Sequence, residues 1–173
     1  MNAKRNLFIA ISIFVCFLLQ TTLFKQLSFN GIAPNLLMIL TASFGLMYGK
    51  KCGIITGFVS GILIDMFFGS ALCFYALIYM YIGYTNGFFN RILFKDDVKL
   101  PIALITVSDL CYGMVCYVLL FLLRGKFHLG YYFLHIILPE IVYTVVVAVF
   151  LYPLILWIHN RINRENKGSL SID

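Results

Sequence analysis

The sequence predicts an all-α integral membrane protein, built as a bundle of six transmembrane helices. Of its 173 residues, 62% are hydrophobic and only 12% are charged, whereas soluble domains are about 45–50% apolar and about 25% charged. The mean hydropathy is +0.95. The apolar residues fall into six runs separated by short polar segments, and one span needs roughly 20 of them. This composition excludes a soluble globular domain and a disordered chain.

Each apolar run predicts one helix. The runs cover residues 7–24, 34–48, 52–68, 71–89, 101–123 and 131–158. The first follows Lys4 and Arg5 and ends without a small-residue cleavage motif, which indicates an uncleaved span rather than a signal peptide. The second and third flank Gly49, Lys50 and Lys51. Because adjacent lysines cannot rest inside the bilayer, we expect a tight helical hairpin at this point.

The basic residues are distributed unequally between the two predicted sides of the membrane. One side receives Lys4, Arg5, Lys50, Lys51, Arg91, Lys95, Lys99, Arg161, Arg164 and Lys167, and the other receives Lys25, Arg124 and Lys126. The positive-inside rule therefore places both termini in the cytoplasm. We predict one membrane domain over residues 1–158 and a basic cytoplasmic tail over residues 159–173. The net charge of +6 is explained by this asymmetry, and no basic stripe indicates nucleic-acid binding.

Small residues recur every four positions in the third run and continue in the fourth. The series is Gly53, Gly57, Gly61, Asp65 and Gly69, followed by Gly83 and Gly87. Residues four apart share a helix face, and glycine allows two helix backbones to approach closely. Two interpretations remain open at this point. The series mediates packing of the third span against the fourth, or it forms an interface with another protein or a second copy of the chain.

Three acidic residues lie within apolar runs: Asp65, Asp109 and Glu140. Such a residue costs roughly 2.5–3.5 kcal/mol at the centre of a membrane helix, so each requires a role or an interfacial position. Asp65 lies about one turn from the end of its run, where we expect it to cap a neighbouring turn. For all three, an internal hydrogen bond that sets helix register competes with ligand binding or proton handling. The roles of Asp109 and Glu140 stay open.

Signatures of catalysis are weak in this sequence. The three histidines form no metal-binding helix motif, no serine-nucleophile motif occurs, and the five cysteines form no CxxC pair. Asp65 and Asp109 superficially resemble the acid pair of a small lipoprotein signal peptidase, but the asparagine-containing second motif is missing. We predict no catalytic residue, metal or cofactor. An intramembrane aspartyl peptidase is a remote alternative.

Several short motifs together resemble those of the rod shape-determining protein MreD family. They are Pro34-Asn35-Leu36-Leu37, the segment from Gly45 to Gly49, the four-residue glycine series with Asp65, Gly83-Tyr84, Leu138-Pro139 and Tyr143. The chain length, the short loops and the basic tail also agree with that family. Glu140 has no counterpart that we can match.

The resemblance implies a non-enzymatic inner-membrane subunit of the machinery that directs side-wall peptidoglycan synthesis in rod-shaped bacteria. The implied partners are MreC, the actin-like MreB, the polymerase RodA and a class B penicillin-binding protein, with membrane lipid around the bundle and a homodimer as a further possibility. The family fold is similar to that of the substrate-binding subunits of energy-coupling-factor transporters. That similarity supplies the main alternative, a membrane subunit that binds a vitamin.

Overall fold

The computed structural model describes residues 3–26, 32–68, 73–91, 98–120 and 129–169, and its regular structure there is helical throughout. The helices are α1 (Ala3–Gln26), α2 (Leu36–Tyr48), α3 (Lys50–Phe68), α4 (Phe74–Phe88), α5 (Lys99–Leu120), α6 (Leu129–Tyr132) and α7 (Leu138–Ser169). A 3₁₀ turn, Phe89–Arg91, follows α4, and a π-helical turn, Phe133–Ile137, joins α6 to α7. The predicted all-α class is confirmed.

Three helices in the described ranges are long and apolar enough to cross a membrane. These stretches are Arg5–Leu23, Lys99–Leu119 and Gly130–Arg161. By contrast, α2 has 13 residues and α4 has 15, so at about 1.5 Å per residue each is shorter than a bilayer core of about 30 Å. Six complete spans therefore remain a prediction. The hairpin turn at Gly49 ends α2 after 13 residues, and α4 is short although it does not adjoin that turn.

A single residue, Gly49, connects α2 to α3. Its φ of 86° lies in the left-handed region that glycine adopts without a steric penalty. Its N–H donates to the carbonyl of Gly45 at 2.8 Å, and its own carbonyl accepts from the N–H of Gly53 at 3.0 Å. The last turn of α2 and the first turn of α3 are thereby joined, and the chain reverses where the sequence predicts a hairpin.

Helix α2 lies at the centre of the bundle. Every residue from Leu36 to Leu46 is buried, and the helix contacts α1, α3, α4, α5 and α7. A helix that is apolar on all sides is buried on all sides. On the flank of α2, Phe44 packs edge-on against Phe8 of α1 with ring centroids 5.7 Å apart.

One end of the bundle collects the start of α1, the α2–α3 turn, the end of α4 and the end of α7. The guanidinium of Arg5 lies 5.3 Å from the ring centroid of Tyr48, and that ring lies 4.7 Å from the ring of His159. The side chain of Asn90 donates a hydrogen bond to the carbonyl of Leu46. Several basic residues that the charge count assigns to one side therefore lie at one end of the molecule. We call this the basic end.

The last helical segment is continuous from Leu129 to Ser169. Its π-helical turn places Ile137 over Gly113 of α5, where a Cβ on Gly113 would lie 3.1 Å from the Ile137 side chain. Helix α7 continues beyond residue 158, the predicted start of the tail, so no break in secondary structure marks that boundary. The division at residue 158 remains a prediction about where the membrane ends.

Candidate functional site

The glycines of α3 lie directly against the backbone of α4. Gly53 and Gly83 face each other, and a Cβ on either would overlap the carbonyl of the other. A Cβ on Gly57 would fall 2.7 Å from the carbonyl carbon of Tyr79, and one on Gly61 would fall 2.6 Å from the nitrogen of Ala76. Real Cβ atoms do not approach this closely, so glycine is required at these positions.

The same contact extends to both neighbours of the hairpin turn. A Cβ on Gly87 would lie 2.5 Å from the Cα of Lys50, and one on Gly45 of α2 would lie 2.8 Å from the carbonyl oxygen of Gly83. Both glycine rows are therefore covered within the chain, which corresponds to the packing interpretation of the series. Its last member, Gly69, lies outside the described residues. The exposed apolar side chains of α3, which include Ile55, Phe58 and Met66, lie on the other faces.

Asp65 caps the N-terminus of α4 from the neighbouring helix. Its Oδ1 accepts a hydrogen bond from the backbone N–H of Tyr75 and its Oδ2 accepts one from Ala76, both at 2.9 Å. The first N–H groups of a helix have no partner within that helix. Cys73, at the N-cap position of α4, has φ of 68° and no capping side chain. A carboxylate here satisfies two N–H donors and interacts favourably with the helix dipole.

A second polar group lies inside the bundle and is centred on Asn35, the N-cap of α2. Its Oδ1 accepts from the N–H of Met38 at 3.2 Å and from the hydroxyl of Tyr79 at 2.6 Å. Its backbone N–H donates to the hydroxyl oxygen of Thr144 at 3.2 Å. These hydrogen bonds join α2, α4 and α7. All three polar residues are buried, and unmade hydrogen bonds would be costly there.

Asp109 of α5 lies beside this group, next to the side chains of Asn35 and Thr144. It is only 2% exposed, and the amide of Asn35 and the hydroxyl of Thr144 are the hydrogen-bonding groups that face its carboxylate. Glu140 of α7 lies close enough to Asp109 for the two carboxyl groups to interact electrostatically. We call Asn35, Tyr79, Asp109, Glu140 and Thr144 the polar cluster.

The chemistry available to the polar cluster follows from its two carboxyl groups. Two like charges close together in a low-dielectric environment oppose each other's ionisation, so such a pair is suited to holding a proton or to joining helices by polar contacts. Among the residues that the structure describes, no three His, Cys, Asp or Glu residues come together as a metal site. The two acids of the peptidase alternative have different surroundings: both oxygens of Asp65 accept hydrogen bonds from the α4 backbone, whereas Asp109 lies in the polar cluster.

The sequence analysis did not predict Asn35 and Asn86 as site residues, although both are buried and polar. Asn35 carries the signal of a helix N-cap, an asparagine immediately before an apolar run. Asn86 is the lone amide within the fourth run, and isolated polar residues in such runs have partners. Its Nδ2 donates to the hydroxyl of Ser108 on α5 at 2.7 Å and to the carbonyl of Ile82 at 2.9 Å.

A shallow apolar groove of about 250 Å³ lies between α4 and α5. Its lining residues are Leu77, Ile78, Tyr81, Ile82, Cys111 and Val115. A site for a polar solute such as a vitamin needs several convergent polar groups, and this groove offers none with a charge or an amide. The groove thus gives no support to solute binding.

Comparison with known proteins identifies one family. The model of the family described as rod shape-determining protein MreD matches residues 1–162 of the chain, a range that includes the glycine contact, Asp65 and the whole polar cluster. No curated protein and no solved structure matches the chain. The similarity to energy-coupling-factor transporter subunits therefore stays a prediction.

Proposed function

Because the chain belongs to the rod shape-determining protein MreD family, we propose that it is a non-enzymatic inner-membrane subunit of the bacterial elongation complex. In this role it helps to organise side-wall peptidoglycan synthesis and thereby cell shape. The observation that carries the proposal is the extent of the family match, residues 1–162 of 173. The family is one of membrane proteins that determine rod shape, and the long apolar helices α1, α5 and α7 fit insertion into a membrane.

The geometry supports a scaffold because the glycines and the polar groups are used within the chain. The α3–α4 contact excludes even a methyl group at Gly53, Gly57 and Gly61, so the two helices pack with their backbones in direct contact. Apolar side chains such as Phe58, Val59 and Phe150 remain exposed around it. We propose that these outer helix faces, rather than the glycine series, contact lipid and the partner helices.

The proposed partners are MreC, MreB, RodA and a class B penicillin-binding protein, as the family resemblance implies. We propose a cytoplasmic position for the basic end and for both termini. The positive-inside rule supports this orientation, and so does the meeting of Arg5, Lys50 and Arg161 at one end of the bundle.

Depletion of the protein in a rod-shaped host tests the proposal. We expect rounded, swelling cells that a vitamin mixture does not rescue and that re-expression of the wild-type chain does. The tagged protein, solubilised gently, should be recovered with MreC and wall-synthesis enzymes. Restoration of rods by the vitamin mixture would contradict the proposal. So would recovery of the protein with a transport subunit and paired ATPases in place of MreC.

A further inference from the structure

The last helical segment, from α6 to α7, contacts α5 at successive turns. The contact residues on α5 are spaced four apart, as on one face of an α-helix, and they are Asp109, Gly113 and Tyr117. Ile137 packs over Gly113, and the rings of Tyr132 and Tyr117 lie with their centroids 5.1 Å apart. Glu140 lies near enough to Asp109 for an electrostatic interaction. The contacts therefore form one row along α5.

The partners of this row are spaced unevenly along the last helical segment. Ile137 and Glu140 are three residues apart, which is a normal spacing for one helix face. Tyr132 precedes Ile137 by five residues, and on an α-helix two such residues point about 140° apart. An α-helix would instead place Phe133 or Leu134 beside Ile137, yet Leu134 is 60% exposed. The segment between the two contacts is therefore one residue longer than an α-helical turn allows.

The π-helical turn accommodates the additional residue. In this turn, Phe133–Ile137, the N–H of Leu138 donates to the carbonyl of Phe133, five residues earlier. A turn closed in this way holds about one residue more than an α-helical turn. Tyr132 and Ile137 thereby return to the same face of the helix. Such turns are rare and often lie at functional sites.

Pro139, directly after the turn, disfavours the α-helical alternative. Proline has no N–H, so the carbonyl of His135 could not be bonded in an α-helical turn, and the proline ring would clash with that carbonyl. At Pro153, further along α7, the helix stays α-helical, so a proline alone does not widen a turn. At residue 139 the proline acts together with the packing of Tyr132 and Ile137 on α5. The proline raises the free energy of the α-helical turn, and the packing stabilises the wide one.

We propose that Pro139 and the π-helical turn form a register lock, a device that fixes the rotation of α6 about the helix axis relative to α7. In the locked register Tyr132 faces α5, whereas Tyr131 and Leu134 lie on the outer surface, 66% and 60% exposed. In an α-helical register α6 would turn by one residue, about 100°, and Phe133 would take the place of Tyr132 on α5. The lock therefore determines which side chains of α6 are presented at the surface of the bundle.

Cross-linking between paired cysteines tests the proposal in the full-length chain, in membranes and in a background without the five native cysteines. One pair is Tyr117→Cys with Tyr132→Cys, and the other is Tyr117→Cys with Phe133→Cys. Both pairs remove the ring of Tyr117, so the proline acts there without support from the aromatic contact. Each pair is combined with Pro139→Ala, and with Pro153→Ala as the matched control from the same helix. A short bis-methanethiosulfonate reagent links the thiols, and the mass of the intact chain gives the linked fraction.

We expect the 117–132 pair to be linked severalfold more than the 117–133 pair when Pro139 is present, and the order to reverse in Pro139→Ala. Pro153→Ala should leave the order unchanged. A general loss of stability would lower both linked fractions, so a reversed order reports the register.

An unchanged order in Pro139→Ala would overturn the proposal, because packing alone would then set the register. A reversed order in Pro153→Ala, or equal linking of the two pairs with Pro139 present, would also overturn it. If Pro139→Ala does not insert into the membrane, Pro139→Leu, which likewise restores the N–H, decides the outcome by the same comparison.

Discussion

The Oδ2 atom of Asp65 lies 2.9 Å from the backbone nitrogen of Ala76. The backbone of Ala76 also contacts Gly61, which lies one turn before Asp65 on α3. The cap and the close packing are therefore parts of one contact. A side chain at residue 61 would push the start of α4 away from the carboxylate, because a Cβ there would fall 2.6 Å from the Ala76 nitrogen.

Substitution of Asp65 should produce graded losses of stability. Asp65→Leu removes both hydrogen bonds to α4. Asp65→Asn retains one acceptor oxygen but turns its NH₂ group toward a backbone N–H that it cannot accept from. We expect thermal unfolding midpoints in detergent to fall in the order wild type, Asn, Leu, with about 1–3 kcal/mol lost at each orphaned donor. A midpoint for the Asn variant equal to that of the wild type would contradict the double cap.

A single methyl group at Gly57 should be destabilising, although alanine is the better helix former. A Cβ at this position would lie 2.7 Å from the Tyr79 carbonyl carbon, and overpacking costs about 1–3 kcal/mol. Gly130→Ala is the matched control, since nothing lies within 4 Å of a Cβ there. We expect the unfolding midpoint to drop for Gly57→Ala and to stay or rise for Gly130→Ala. Equal midpoints would mean that α3 and α4 are not in backbone contact.

The carboxyl groups of Asp109 and Glu140 should be energetically coupled. A double-mutant cycle with Asp109→Asn and Glu140→Gln measures this coupling by chemical denaturation in detergent. Each single substitution replaces one of two neighbouring acids by a neutral amide, so we expect neither to lower the free energy of unfolding. When one acid has already been replaced, replacing the other should raise the free energy of unfolding less than it does in the wild type. We expect an interaction energy of about 0.5–3 kcal/mol. Strictly additive effects would show that the two carboxyl groups act independently.

Cysteine labelling should find the two ends of the bundle on opposite sides of the membrane. Lys51 is exposed at the basic end, and Tyr131 is exposed near the start of the last helical segment. In a background without the five native cysteines, Lys51→Cys should react with a membrane-impermeant maleimide only after permeabilisation. Tyr131→Cys should react in intact cells. Labelling of residue 51 from outside would invert the orientation derived from the basic residues.

The helices themselves were predictable because the information for a helix is local. The predicted run 52–68 corresponds to α3 at Lys50–Phe68, and the run 71–89 to α4 at Phe74–Phe88. The hairpin was predictable for the same reason, since Gly49 and two lysines interrupt the apolar residues within a few positions. The number of complete spans was not, because the short helix α2 is buried by other helices rather than matched to the thickness of the bilayer.

The sequence by itself determined which face of α3 accepts a close neighbour, because four-residue spacing of glycine defines a face without reference to the rest of the fold. The position of Asp65 near the end of its run predicted a cap, but only the tertiary structure decided that α4 occupies the glycine face and that the capped turn is the first turn of α4. The same holds for the approach of Asp109 to Glu140 and of Tyr48 to both Arg5 and His159. These residues are separated by dozens of positions, and no local pattern encodes their distance. It is set by how whole helices pack, since that packing depends on the shapes of all the side chains between them.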